Sequence, residues 1–212
     1  HMTTLPTTAD DMIYHARSAA RAASHALVIC DMPFGSYQVS EEDGLRNAIR
    51  IMKETGVDAV KIEGGAEIAP MIKRMVDAGI PVSGHLGLTP QSVHKFGGYG
   101  LRAKDEAEAE KLMSDAKALD EAGCFCFVLE KVPAALAQKV TESVSCATIG
   151  IGAGNNCDGQ VLVYTDMLGM DPNFKPKFVR KYADLYNVMT TAIAQYVSDV
   201  KSTDFPNETE SY

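Results

Sequence analysis

Ionisable side chains stand at the ends of four successive apolar segments of the sequence. They are Asp31, Lys61 with Glu63, His85, and Glu130. A single charge at such a position is commonly a structural ion pair or part of a turn. Four segments in a row that end this way indicate a shared site, because the carboxyl ends of neighbouring parallel strands meet at one edge of a sheet.

Asp31 and Glu63 carry the ligand type that hard divalent cations prefer. Carboxylate oxygens suit Mg²⁺, which keeps several waters and takes one or two protein carboxylates. Two ionised, buried carboxylates also need a cation between them. We therefore expect Asp31 and Glu63 to bind Mg²⁺ or another divalent metal. The alternative is a salt bridge in which Lys61 neutralises Glu63, since positions 61 and 63 share one face of a strand.

Glu130 and His85 suggest further roles. Glu130 lies apart from the two carboxylates and is followed by Val132 and Pro133, which predict a turn, so it is the candidate general base. His85 lies between Gly84 and Gly87. An isolated strand histidine is usually a hydrogen-bonded core group, but the flanking glycines and neighbouring charges favour a substrate contact here.

Short apolar segments alternate with amphipathic helical stretches along the chain. The segments are rich in β-branched and aromatic residues without clean polar alternation, as in buried parallel strands; they cover residues 26–31, 58–63, 80–86, 125–130, 147–151 and 161–163. Helices are predicted over residues 8–23, from Ser40 to Gly56, over 66–78 and 105–122, after Pro133, and over 176–200. Ser40 is a typical N-cap, and glycines follow three of the helices.

This alternation predicts an α/β fold with a parallel sheet covered by helices. Charges at four successive strand ends favour a (β/α)₈ TIM-type barrel, because an open doubly wound sheet concentrates its site at one switch point. About six of the eight βα units are present. We expect residues 1–202 to form one barrel domain that lacks its first two strands, and residues 203–212 to form a polar tail.

Composition excludes several classes of function. The net charge of −8 and the pI of about 5.1 disfavour nucleic acid as a partner. No apolar run is long enough to span a membrane, and the polar start, residues 1–8, predicts no signal peptide. The five cysteines show no C-x-x-C spacing, so free thiols in a reducing cytoplasm are expected.

The function of one glycine-rich stretch is not decided by its sequence. Residues 149–154 could cradle a phosphate or a carboxylate, but they lack the Lys-Ser/Thr of a P-loop and the spacing of a dinucleotide fold. The G-x-S-x-G pattern of a nucleophile elbow is absent from the sequence, so nothing supports a covalent mechanism.

Several motifs together resemble the ketopantoate hydroxymethyltransferase family. They are Cys-Asp-Met-Pro-Phe at residues 30–34, Val-Lys-Ile-Glu-Gly-Gly at 60–65, Gly-His-Leu-Gly-Leu-Thr-Pro-Gln-Ser at 84–92, Phe-Gly-Gly-Tyr at 96–99, Val-Leu-Glu at 128–130, and Gly-Ile-Gly-Ala-Gly at 150–154. Their order and spacing match over essentially the whole chain. One departure is residues 100–103, where the family more often has a lysine-led loop.

The resemblance implies a (β/α)₈ barrel that assembles as a homo-oligomer, usually a decamer, in the cytoplasm. It implies transfer of a hydroxymethyl group from 5,10-methylenetetrahydrofolate to 3-methyl-2-oxobutanoate (α-ketoisovalerate), giving ketopantoate for pantothenate and coenzyme A through a metal-stabilised enolate. By motif, Asp31 and Glu63 would bind the metal, Asp31, Lys61 and His85 would contact the oxo acid, and Glu130 would be the catalytic base.

Relative to the family, the sequence begins after the first two strands. The resemblance places a third metal ligand and a substrate-binding hydroxyl on that segment. Two alternatives therefore remain. One is a related Mg²⁺-dependent 2-oxo acid lyase or mutase on the same barrel type, and the other is an inactive fragment that acts only as an assembly subunit.

Overall fold

Six parallel strands form one sheet in the computed structural model, which describes residues 3–212. His1 and Met2, where the expected polar start begins, lie outside the described residues. The strands are β1 (Ile29–Asp31), β2 (Ala59–Lys61), β3 (Val82–Gly87), β4 (Cys126–Glu130), β5 (Ala147–Ile151) and β6 (Gly159–Gln160). Each strand pairs in parallel with the next along the chain.

This strictly sequential order is the arrangement of a (β/α)₈ barrel. An open doubly wound sheet reverses its strand order at a switch point, and no reversal occurs within the described sheet. The predicted α/β class and the six parallel strands are confirmed. The last strand is wrong in position, since it covers Gly159–Gln160 and not residues 161–163. Val161 and Val163 are exposed, and Val163 already caps the next helix.

The chain divides into two compact units, His1–Val161 and Leu162–Tyr212. The sheet belongs to the first unit, whose helices are α1 (Ala9–Ala22), α2 (Glu41–Thr55), α3 (Ala69–Asp77), α4 (Val93–Phe96), α5 (Glu106–Ala122) and α6 (Ala134–Ser143). Short 3-10 turns, Ala66–Ile68 and Pro90–Ser92, precede α3 and α4, so the predicted helix 66–78 is divided.

Side-chain caps set the starts of the longer helices. The Ser40 hydroxyl accepts a hydrogen bond from the backbone N–H of Asp43, as predicted, and Asp105 caps α5 in the same way. Gly56 and Gly123 end α2 and α5 in the left-handed conformation. These boundaries decide where each strand begins and therefore which residues reach the strand ends.

The core of the first unit lies between the sheet and its helices. Val60 and Ile62 are fully buried there, together with Ile72 and Met75 of α3 and Leu119 of α5. Because side chains alternate along a strand, burial of positions 60 and 62 directs Lys61 and Glu63 to the other face. The predicted facing of this strand is confirmed.

The second unit contains α7 (Tyr164–Met167), α8 (Leu185–Ser202) and a 3-10 turn, Glu208–Glu210. The predicted terminal helix starts nine residues too early, because residues 176–184 are not helical. Instead, the backbone N–H groups of Tyr182 and Leu185 donate to the carbonyls of Met167 and Leu168, and Asp184 caps α8. Within residues 3–212, no helix combines the length and apolarity that crossing a membrane requires.

Candidate active site

The register of the sheet brings the five predicted site residues to one end of the first unit. Asp31 pairs with Lys61 across β1 and β2, and Gly87 pairs with Glu130 across β3 and β4. His85 lies two residues before Gly87, and Glu63 lies two residues after the end of β2. All five positions therefore lie at the carboxyl ends of four adjacent strands.

Lys61 lies at the centre of this group. Its Nζ is 2.9 Å from Oδ2 of Asp31 and 3.4 Å from Nδ1 of His85. The lysine is mostly buried, whereas half of the Asp31 side chain is exposed. Lys61 thus pairs with Asp31 rather than with Glu63, the pairing considered as an alternative to metal binding.

His85 lies between two carboxylates in a buried position. Its Nε2 is 3.3 Å from Oε2 of Glu130, and its Nδ1 is 3.9 Å from Oε1 of Glu63. Burial lowers the pKa of His85, with Lys61 acting in the same direction and Glu130 opposing it. Nε2 is buried and faces the Glu130 carboxylate, but the two do not form a well-aligned hydrogen bond.

Glu63 is a buried carboxylate beside His85. Burial raises its pKa to about 7, with the nearby charges of Asp31 and Glu130 adding to that rise. The backbone N–H of Gln91 and the charge of Lys61 act in the opposite direction. A buried acid beside two other carboxylates gains from a positive charge, because desolvation and like charges both disfavour its ionised form.

A close approach of two strands fixes Glu130. The backbone N–H of Leu88 donates to the carbonyl of Glu130 at 2.8 Å, just beyond the paired strand ends. Gly87 has φ +86°, and a Cβ there would lie well inside van der Waals contact of that carbonyl and 2.7 Å from Cγ1 of Val132. A side chain at position 87 would therefore force the Glu130 backbone or Val132 to shift.

The donor set fits a hard divalent cation in its chemistry. Asp31 and Glu63 supply carboxylate oxygens; Asp31 is paired with Lys61, and Glu63 and Glu130 lie on either side of His85. Mg²⁺ commonly takes only one or two protein carboxylates and completes its shell with water and substrate. Within residues 3–212, no three His, Cys, Asp or Glu side chains are arranged as a complete metal site.

A cavity of about 290 Å³ opens beside these strand ends. Glu63 and His85 reach its wall, and the rest is lined by α5 and by the segments that follow β1, β2 and β3, including Phe34, Tyr37, Gln91 and Phe96. Its size is near the lower end for small-molecule sites. Of the five predicted residues, Glu63 and His85 therefore border a space that a small ligand can enter, whereas Asp31, Lys61 and Glu130 do not line it.

Sequence reasoning missed Tyr37 and Gln91. The Tyr37 hydroxyl donates to Oε1 of Gln91 at 2.7 Å, and the backbone N–H of Glu63 donates to that hydroxyl at 3.1 Å. Gln91 lies within one of the motifs that carry the family resemblance, which is the only signal that could have found it. Nothing local marks Tyr37, because its partners lie 26 and 54 positions away.

The glycine-rich stretch does not border this cavity. Gly150 packs against Cys157 and Gln160, and a Cβ on Gly154 would lie 2.5 Å from that of Ala134. Close packing at β5 thus accounts for these two glycines. The five cysteines are free thiols, and burial raises the pKa of each, which keeps them in the neutral thiol form.

Known proteins resemble this chain in sequence and in fold. The family model described as ketopantoate hydroxymethyltransferase matches residues 1–208. Proteins named 3-methyl-2-oxobutanoate hydroxymethyltransferase are 61% identical in Bacteroides thetaiotaomicron and in Flavobacterium johnsoniae, over the whole of this chain and 78% of each relative. Among solved structures, a phosphonomutase-type protein of Burkholderia cenocepacia J2315 matches with TM-score 0.54 at 15% identity.

That structural match covers 92% of this chain and 79% of the other, and at such low identity it bears on the fold alone. It agrees with the barrel topology of the sheet. The family model and the relatives, in contrast, extend over the segments that hold all five strand-end residues. The chain belongs to the ketopantoate hydroxymethyltransferase family.

Proposed function

We propose that this chain transfers a hydroxymethyl group to 3-methyl-2-oxobutanoate, giving ketopantoate. Two relatives that carry this name at 61% identity over the whole chain support the reaction. The proposed one-carbon donor is 5,10-methylenetetrahydrofolate. One water is consumed, tetrahydrofolate leaves, and a C–C bond forms at C3 of the oxo acid.

The observation that carries the proposal is the convergence of Lys61, His85 and Glu130 beside two further carboxylates. A 2-oxo acid is anionic, and Lys61 is the charge that can balance its carboxylate. His85 presents a buried Nε2 with no well-aligned hydrogen bond among residues 3–212. This nitrogen lies 3.3 Å from Oε2 of Glu130, and its proposed contact with the oxo acid would hold the substrate beside that carboxylate.

Glu130 is the proposed base for the C3 proton. Removal of that proton is what makes C3 a nucleophile, and a carboxylate held next to the substrate can accept it. Its Oε2 lies 3.3 Å from His85 Nε2, so the acid formed on proton transfer stays beside a potential hydrogen-bond partner. The segment beyond β3 holds the Glu130 backbone in place, because the Leu88 N–H donates to its carbonyl.

Asp31 and Glu63 are the proposed ligands of Mg²⁺ or another divalent cation. Such a cation would act as a Lewis acid that polarises the keto group of the oxo acid. The proposal also includes a cytoplasmic location and a homo-oligomer, with the decamer of the family as the expected form. Sedimentation of the purified chain tests that assembly.

The decisive experiment measures ketopantoate formed from 3-methyl-2-oxobutanoate and methylenetetrahydrofolate. Glu130→Gln should lower kcat by about 10²–10⁴-fold, because it removes a general base. Glu121→Gln, an exposed change on α5, is the matched control and should keep wild-type activity. Cleavage of a hydroxy acid would instead support the lyase alternative. No turnover together with no metal-dependent binding of the oxo acid would support the assembly subunit.

A further inference from the structure

Three residues from three different loops are joined by a closed ring of hydrogen bonds, made by their side chains and two backbone N–H groups, next to the candidate active site. The Tyr37 hydroxyl donates to Oε1 of Gln91 at 2.7 Å, and the Gln91 backbone N–H donates to Oε2 of Glu63 at 2.9 Å. The Glu63 backbone N–H then donates to the Tyr37 hydroxyl at 3.1 Å and closes the ring. We call this set of Tyr37, Gln91 and Glu63 the clamp.

The chemistry of the groups in the clamp decides which one donates and which one accepts in each hydrogen bond. A hydroxyl has one proton, and the shorter contact of Tyr37 is to Gln91, while the carbonyl of Glu63 is farther away at 3.3 Å. Tyr37 is 2% exposed, and burial raises its pKa, so its hydroxyl stays protonated and can donate. The backbone N–H of Glu63 can only donate, which leaves the hydroxyl oxygen as its acceptor.

The Gln91 amide has only one orientation that satisfies its neighbours. Its Nε2 donates to the carbonyl of Met32 at 2.9 Å, and its Oε1 accepts from both Tyr37 and Nε2 of Gln38, the latter at 3.1 Å. Reversing the amide would place a donor against two donors and a carbonyl against a carbonyl. Gln91 thus joins the loop after β1 to the loop after β3.

The clamp holds Glu63 at both its backbone and its carboxylate. Oε2 is bound to Gln91, which leaves Oε1 on the side of His85, 3.9 Å from Nδ1. The Glu63 side chain is 7% exposed and lies beyond the end of β2, so its own strand does not fix its orientation. Cooperative rings of this kind act as a unit, because each bond restrains the geometry of the next.

We propose that Tyr37 and Gln91 are positioning residues that set the orientation of the Glu63 carboxylate for ligand binding at the strand ends. The inference rests on the proposed role of Glu63 as a metal ligand. Neither Tyr37 nor Gln91 needs to touch the reacting atoms. Outer residues that orient a metal ligand commonly change metal affinity or activity by about 10–100-fold when they are altered.

The test uses Tyr37→Phe, which removes one oxygen and keeps the buried ring, and Gln91→Met, which keeps the chain length and the backbone N–H. Tyr14→Phe is the control, because Tyr14 is 71% exposed on α1. Mn²⁺ serves as the probe in calorimetric titration. We expect its Kd to rise at least about tenfold in each clamp variant, kcat to fall by a similar factor, and the double variant to add little beyond either single change.

Amide hydrogen exchange gives a readout that does not depend on metal. The Glu63 amide loses its acceptor in Tyr37→Phe and should exchange at least about tenfold faster, while Tyr14→Phe leaves it unchanged. Faster exchange with unaltered Mn²⁺ affinity and kcat would mean that the clamp only stabilises the fold, and would overturn the proposal. If the wild-type protein bound no Mn²⁺, the ligand role of Glu63 would fail by itself. Amide exchange and kcat of the variants would still decide whether the clamp positions Glu63.

Discussion

Replacement of Gly87 by alanine tests whether the close approach of β3 to β4 holds Glu130 in place. Gly79 offers a matched control, because it has the same φ of +86° but no heavy atom within 4 Å of the position that an alanine Cβ would take. Both substitutions force an L-residue into the left-handed region, at about 1–2 kcal/mol. Both also restrict the unfolded chain equally.

The two variants therefore differ only in the space around the new methyl group. At position 87 it would overlap the backbone carbonyl of Glu130 and approach Cγ1 of Val132 to 2.7 Å, and a backbone atom cannot move aside by rotating. Overpacking of this kind costs about 1–3 kcal/mol. We expect Gly79→Ala to lose about 1–2 kcal/mol of unfolding free energy, and Gly87→Ala to lose about 1–3 kcal/mol more.

Urea unfolding followed by circular dichroism measures both losses. Turnover adds a second readout, because displacement of the Glu130 carbonyl also moves its carboxylate away from His85. Gly87→Ala should lower kcat in the folded protein, and Gly79→Ala should not. Equal destabilisation by the two variants, with equal kcat, would refute the packing argument, because backbone strain alone would then explain both losses.

Three further predictions concern other parts of the first unit. Burial raises the pKa of Asp120, but hydrogen bonds donated by Ser145 and Cys146 outweigh burial, so the pKa is lowered overall. The ionised Asp120 therefore stabilises the fold above the unfolded-state pKa near 4, and this stability is lost as the pH falls through the lower folded-state pKa. Asp120→Asn should therefore differ most from the wild type near neutral pH, and an equal difference at pH 3 and pH 7 in unfolding experiments would contradict this. Burial raises the pKa of Cys30 to about 11 and that of Cys124 to about 12, so a thiol reagent at pH 8 should label these cysteines slowly until denaturant is added; rapid labelling of either in the native protein would show that the site is open. Glu63→Ala, or removal of divalent cations by a chelator, should abolish calorimetric binding of 3-methyl-2-oxobutanoate, and turnover that survives Glu63→Ala would exclude this ligand assignment.

The sequence contained enough information for the strand ends but not for the contacts between loops. Apolar segments that end in Asp31, Lys61 or Glu130 placed these residues correctly, because strand position and side-chain alternation are local properties. The wrong assignments have local causes as well. Residues 161–163 are apolar like a strand, but the ladder with β5 ends at Val161, whose N–H donates to the carbonyl of Gly150.

The clamp could not be predicted from local pattern. Tyr37 meets Gln91 across 54 positions, and only the assembled sheet brings their loops together. The pairing of Lys61 with Asp31 was likewise undetermined, because Glu63 is nearer in sequence while Asp31 is the direct neighbour across the strands. Which carboxylate a lysine selects depends on strand register, and register follows from the packing of the whole unit.

The strictly sequential order of the strands also has a consequence for how the chain can acquire its structure. Within the described sheet, each strand after β1 pairs with the strand one βα unit earlier in the chain, so these pairings join only neighbouring segments. As the polypeptide leaves the ribosome, every new unit meets an edge that is already formed, and the sheet can grow in one direction at the pace of synthesis. The conformational entropy of closing each of these loops is then lost in small, similar steps.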